Sequence, residues 1–259
     1  MSTFLFDKII FGPVYSRRLG NSLGINLLPI DEKVCTFSCI YCECGPTDAQ
    51  SSKEWVDIET FDNALASKLS EMQSRKNVPD SITFAGNGEP TLHPEFHTIM
   101  DITIKNRNIF FPDAKVAVLS NSTTVSNKNV FDALKRADLN ILKLDVGSET
   151  LFKFINNPLI NISLAQIVEH LSKFDGNLIV QTIFVRGSVN DIYFDNTIKE
   201  EIELYIEHLK RIRPHTIMLY PISRDTPHNT IEKISFREIE EISLKIKKVF
   251  PDIKMLIYS

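Results

Sequence analysis

Ser81-Ile-Thr-Phe-Ala-Gly86-Asn87-Gly88-Glu89-Pro90 is a short β-branched and aromatic run that stops at two glycines and hands over, from Pro94, to an amphipathic helix candidate. The same strand, turn and helix recur on both sides of it. Strand candidates cover 22–28, 81–84, 115–119, 141–145, 178–184 and 216–219, and helix candidates cover 60–73, 94–105, 127–136, 164–174, 195–212 and 236–250. Such an alternation demands a parallel sheet with right-handed crossovers. Six units predict an α/β fold, a partial (β/α)6 barrel of the TIM type, with the active site at the C-terminal ends of the strands. The rival, an open doubly wound sheet, lacks its usual G-x-G-x-x-G turn after the first strand. The chain is expected to form a single domain over 1–259, with a barrel core over about 22–221 and a C-terminal helix and tail over 222–259.

Composition is compatible with that size of core. Of 259 residues, 43% are hydrophobic and 24% charged, and 29 basic against 33 acidic residues leave a formal net charge of −4. Nothing in this balance advertises nucleic-acid binding, although a local basic patch is compatible with it. The first residues lack a basic region followed by a long apolar run, and no segment approaches the length of a membrane span. A cytoplasmic protein without membrane association is expected.

All four cysteines fall within ten residues, Cys35-Thr-Phe-Ser-Cys39-Ile-Tyr-Cys42-Glu-Cys44. A disulfide framework would spread its cysteines to close loops, and a structural zinc site usually needs a second ligand pair downstream. Three thiolates spaced C-x3-C-x2-C can instead close around one 4Fe–4S cubane and leave its fourth iron without a protein ligand. Cys35, Cys39 and Cys42 are therefore the expected metal ligands, with zinc as the competing metal. Cys44, two residues beyond Cys42, reads as a free buried thiol, or as a substrate or redox contact beside the cluster. His93 and His97 have i, i+4 spacing, but no third ligand is apparent.

The cysteine pattern, with Tyr41 before its last member, resembles the signature of the radical S-adenosylmethionine superfamily. Gly86-Asn87-Gly88-Glu89-Pro90 resembles that family's Gly-Gly-Glu-Pro segment with an inserted asparagine. The leader from Phe11 to Pro29, containing Ser16-Arg17-Arg18-Leu19-Gly20 and Ser22-Leu23-Gly24, is similar to that of a branch of iron-sulfur oxidoreductases related to the enzymes that form the wyosine base on transfer RNA. The likeness runs from about Phe11 to about Pro221. It implies S-adenosylmethionine as second cofactor, bound to the open iron by its amine and carboxylate. Reductive cleavage would give methionine and a 5'-deoxyadenosyl radical that takes hydrogen from a substrate. An electron donor such as flavodoxin or ferredoxin would be required, since no cysteines remain for an auxiliary cluster.

Further candidates follow from position. Gly86 and Gly88 would let backbone carbonyls approach the cofactor's amine, with Glu89 as a charged acceptor, although the segment also reads as an ordinary strand-to-helix turn with Pro94 at the first helical position. Asn121 and Asp145 sit at strand ends and are expected on ribose hydroxyls or the cofactor carboxylate; the alternatives are a helix cap for Asn121 and pairing with Lys143 or an arginine for Asp145. Ser148 and Gln181 belong with them. Tyr220 could pack on an adenine face or close the core edge, and Tyr41 matches the family position whose backbone reads the adenine amine. Arg17 and Arg18 could hold a phosphate or carboxylate of the substrate, or form an exposed or salt-bridged pair. The substrate itself stays open between a nucleotide or RNA and a partner protein receiving a glycyl radical. A non-catalytic iron-sulfur or zinc redox protein is the reading outside enzymology.

Overall fold

The computed structural model describes residues 4–47 and 54–259. Strands β1 (Ile10–Ser16) and β2 (Gly20–Ile25) form an antiparallel hairpin, and from β2 onward the main sheet is parallel. Its further members are β3 (Ser81–Phe84), β4 (Lys115–Ser120), β5 (Leu139–Lys143), β6 (Ile179–Val189), β8 (Thr216–Pro221) and β10 (Lys254–Ile257), in the spatial order β1-β2-β3-β4-β5-β6-β8-β10. Helices α1 (Ile58–Ser74), α2 (Phe96–Phe110), α3 (Lys128–Arg136), α5 (Leu164–Ser172), α6 (Lys199–Ile212) and α7 (Phe236–Val249) connect them. A single turn, α4 (Glu149–Leu151), runs into a π-helical stretch over Phe152–Asn156.

All six expected strands are present, and the structure corrects the expectation in four places. A seventh parallel strand, β10, pairs with β8 where only a tail was expected. Residues 195–198 are not helical: β6 runs on beyond the barrel and folds back at Asn190-Asp191, both left-handed at φ 51° and 61°, into β7 (Ile192–Asp195). Two successive positive φ values make the tight turn that matches strand twist. A short strand β9 (Ile231–Lys233) also pairs with the extension. Pro94 precedes α2 rather than opening it, because Pro90 starts a separate 3-10 turn over Pro90–Leu92.

Alternation along each strand separates two packing regions. Outward residues such as Ile82, Phe84, Val116, Val118, Leu142, Val180, Ile217 and Leu219 meet the helices in the main core. Inward residues Ala117, Ile141, Ile179 and Met218 pack with Leu19, from the β1–β2 turn, and close the barrel at the N-terminal end of its strands. Each large apolar side chain so buried stabilises the fold by about 1.5–3 kcal/mol. Helix starts are fixed by Asp57 on α1 and by capping boxes Ser163/Gln166 on α5 and Ser235/Glu238 on α7. Above the closed floor the barrel interior stays open.

Candidate active site

That interior is a cavity of about 770 Å³, lined in part by Cys35, Cys39, Cys42 and Cys44 and by Gly86, Gly88 and Glu89. The cysteine loop follows β2 without regular structure of its own, so its shape must come from neighbours. On one side Val34 N–H donates to Asn87 O (2.9 Å) and Glu89 N–H to Val34 O (3.0 Å). Across the loop, Ser38 N–H donates to Asn157 O, Ile40 N–H to Ile155 O and Leu159 N–H to Thr36 O, at 2.9–3.0 Å. The π-helical stretch ends in left-handed Asn157, φ 43°, which turns the chain back along the cysteines. π-turns recur at functional sites, and here one clamps the loop.

The cysteine sulfurs are matched by N–H donors and one cation. Asn121 Nδ2 lies 3.6 Å from Cys35 Sγ, Phe37 N 3.4 Å from the same sulfur, and Asn156 Nδ2 3.7 Å from Cys39 Sγ. Burial pushes the Cys35 thiol up to about 12 and also raises Cys39. Cys42 is pulled down to about 5, first by a hydrogen bond from the Cys44 thiol and then, against burial, by Lys33. The same bond to Cys42 holds Cys44 well above the ordinary thiol range. Cys44 is buried, and its Sγ also lies 3.6 Å from Gly86 O. Burial works against the Lys33 ammonium, but Cys42, Cys35 and Cys39 outweigh it and raise its pKa; its Nζ is anchored on Gly45 O at 2.7 Å. Among the described residues no three Cys, His, Asp or Glu side chains converge on a point for a single metal ion.

The glycine segment is built for close approach of backbones. A Cβ on Gly88 would sit 1.9 Å from Val34 O, and one on Gly86 2.4 Å from Asn26 Oδ1. Asn87 is buried and ties Phe6 and Pro29 to the segment through its side-chain amide. Glu89 Oε2 accepts from Asn121 N–H (2.7 Å) and Oε1 from Thr91 (2.5 and 3.2 Å), while burial raises its pKa. Its carboxylate joins the turns after β3 and β4 rather than standing free as an acceptor.

Four of the residues expected at the cofactor also make bonds within the scaffold. Asn121 faces the cavity wall but donates to Thr36 Oγ1 (2.9 Å) as well as to Cys35, and α3 is capped by Asn127 instead. Asp145 is buried, and its carboxylate accepts from Tyr41 Oη, Lys143 Nζ (3.2 Å), Asn156 Nδ2 (2.7 Å) and Ile183 N–H (3.2 Å). Ribose contact was expected, with pairing to Lys143 as the alternative; that pairing is present, three of the donors falling on Oδ2 and one on Oδ1. Ser148 is the N-cap of α4, its Oγ accepting from Leu151 N–H. Tyr41 directs its ring to the pair: Lys143 Nζ donates to its Oη at 2.6 Å, and burial with the Asp145 charge raises the phenol's pKa. Burial alone would lower Lys143, but Asp145 prevails and holds it above the usual lysine range.

Gln181 and Tyr220 do face the cavity, joined by Gln181 Nε2 to Tyr220 Oη at 2.9 Å, and Arg18 packs on both; Arg17 lines the mouth and is exposed. His93 bonds Val56 O through Nε2 and accepts from Glu95 N–H, which accounts for both ring nitrogens. Lys33, Lys143 and Asn156 were not singled out in the sequence as site residues. Only the closeness of Lys33 to Cys35 could have marked it, whereas Asn156 is 117 positions from the sulfur it meets.

The Radical SAM superfamily model matches residues 33–200. A UPF0026 protein of Helicobacter pylori is 31% identical over 240 residues, covering 91% of this chain and 73% of its own. A protein named GTPase Obg from Brachyspira hyodysenteriae is 31% identical over 250 residues, 95% of this chain, but the chain spans only 34% of that longer relative. Among solved structures, Streptococcus suis SuiB bound to S-adenosylmethionine superimposes with a TM-score of 0.61 at 13% identity, over 88% of this chain and 49% of SuiB. At that identity the likeness is one of fold. No helix among the described residues is long and apolar enough to cross a membrane.

Proposed function

This chain belongs to the radical SAM superfamily, and we propose that it holds one 4Fe–4S cluster on Cys35, Cys39 and Cys42, binds S-adenosylmethionine in the adjoining cavity and cleaves it reductively. The observation that carries the proposal is the meeting of those three cysteines with Gly86–Glu89 on one cavity wall, backed by N–H donors at the sulfurs and the buried Lys33 ammonium. When bound, a reduced cluster supplies the electron that breaks a carbon–sulfur bond of the sulfonium and yields a hydrogen-abstracting adenosyl radical.

The protein's own residues do the rest. Lys33 offsets the negative charge that three thiolates bring into a buried loop, a charge that would be costly there unpaired. Asn121 and Asn156 orient Cys35 and Cys39 and place N–H dipoles on their sulfurs, the kind of outer contact that sets a cluster's potential. Cys44 plays that part for Cys42 and is no ligand. Gly86, Gly88 and Tyr41 are the cavity positions we assign to the cofactor's surroundings, with Glu89 holding the glycine turn in place. A one-electron donor such as flavodoxin or ferredoxin is assigned as partner, because reductive cleavage needs an electron supplied to the cluster from outside.

Iron and sulfide content after anaerobic reconstitution tests the ligand set. The parent and Cys44→Ala should each bind about four irons per chain, and Cys35→Ala, Cys39→Ala and Cys42→Ala far fewer. Iron loss in the Cys44 variant, or zinc in place of iron, would overturn the assignment.

A further inference from the structure

We propose that Arg18, Gln181 and Tyr220 form an anion subsite low in the barrel, which grips a carboxylate or phosphate group of the substrate. The inference rests on the reading of this cavity as the active site. Arg18 leaves the β1–β2 turn beside Leu19, which seals the barrel floor, and reaches inward along the wall of β6 and β8. Its guanidinium lies 4.5 Å from the centre of the Tyr220 ring, and Nη1 donates to Gln181 Oε1 at 2.7 Å.

The donor count decides what such a wall can bind. A guanidinium has five N–H donors and no acceptor, so Gln181 must turn its oxygen to Arg18 and its amide N–H to Tyr220 Oη. The Tyr220 oxygen is then an acceptor occupied by Gln181, and its own O–H is left to donate. Among the described residues Arg18 has no carboxylate partner and Tyr220 Oη has no acceptor. The wall therefore offers hydrogen-bond donors with nothing to receive them, on a half-buried cation. Carboxylates and phosphates are the groups that satisfy such a fork.

Arg17 and Lys233 also line the cavity but are exposed, and three of the other cations near Arg18 are already engaged. Lys143 is paired with Asp145, Arg224 with Glu43 (2.6 Å), and Lys33 faces the cysteines. The arginine is also held in place before any ligand arrives. Ser16 Oγ accepts from Arg18 N–H (3.3 Å) and Leu19 N–H (3.2 Å), and Leu19 O accepts from Ser81 Oγ (3.0 Å). Gly20 completes the turn at φ 68°, where a Cβ would stand 2.3 Å from Asp80 Oδ2. Gln181 and the Tyr220 face fix the other end, so little rotamer entropy remains to be lost on binding.

The test titrates the protein, with and without reconstituted iron, with inorganic phosphate and separately with succinate, followed by calorimetry. Saturable binding of one anion, weakened about tenfold or more in Arg18→Met and severalfold in Tyr220→Phe, is expected, since each variant removes donors to a charged acceptor. Preference for phosphate assigns a phosphate ester, and preference for succinate a carboxylic acid. Equal binding by both variants and the parent, or no saturable binding of either anion, would overturn the subsite. Failure to load iron would count against the proposed function alone, because the iron-free titration still decides the role of Arg18. Tyr220→Phe, which deletes a single hydroxyl, keeps the test decisive should Arg18→Met not fold.

Discussion

Replacing Gly88 with alanine forces a methyl group to within 1.9 Å of Val34 O and 2.6 Å of Val34 C, at a residue whose φ is +136°. The contact is to backbone, so no side-chain rotation relieves it. Separation to ordinary distance must stretch both bonds that join the loops, Val34 N–H to Asn87 O and Glu89 N–H to Val34 O. Two hydrogen bonds at about 1 kcal/mol each, with about 1–2 kcal/mol of backbone strain, make the loss about 3–4 kcal/mol. In a chain of this size that lowers the melting temperature by about 6–16 °C. The assay is thermal unfolding of iron-free protein, because the loop contact exists without any cofactor. If Gly88 served only to let a cofactor approach, the iron-free variant would melt with the parent, and that result would refute the reasoning.

Asp145→Asn should destabilise by about 3–5 kcal/mol in denaturant unfolding, because it leaves the Lys143 ammonium buried beside a neutral amide. An unchanged midpoint would mean that the pair is not the hub described. Ser148→Ala should cost about 1 kcal/mol through loss of the α4 cap while leaving S-adenosylmethionine affinity as it was; a large loss of that affinity would restore it as a cofactor contact. Asn156→Ala should shift the reconstituted cluster to a lower reduction potential, by removing an N–H donor from Cys39 Sγ. Redox titration followed by electron paramagnetic resonance reads it, and an unmoved potential contradicts that role.

What could be seen in the chain was what local spacing encodes. Cys35, Cys39 and Cys42 lie close enough in sequence for one loop to bring them together, and the run from Ser81 to Pro90 contains both its strand and its turn. The strand order followed from alternation alone. Partnerships set by the tertiary fold were hidden: Asp145 and Asn121 stand at strand ends as expected, but their acceptors and donors come from Tyr41, Asn156, Thr36 and Glu89, distant in sequence. The two glycines were legible as a close approach, yet the approaching groups are Val34 and Asn26 of this same chain. β10 escaped notice because Lys254–Ile257 is too short to stand out until β8 offers it a parallel edge. β7 was hidden in a helical pattern that begins only at Lys199.

The central claim is that this cavity performs reductive cleavage of S-adenosylmethionine. Anaerobically reconstituted protein, mixed with S-adenosylmethionine and a strong one-electron reductant, should release 5'-deoxyadenosine and methionine, and Cys39→Ala should release neither. Iron-loaded parent protein that leaves S-adenosylmethionine intact under those conditions would contradict the account.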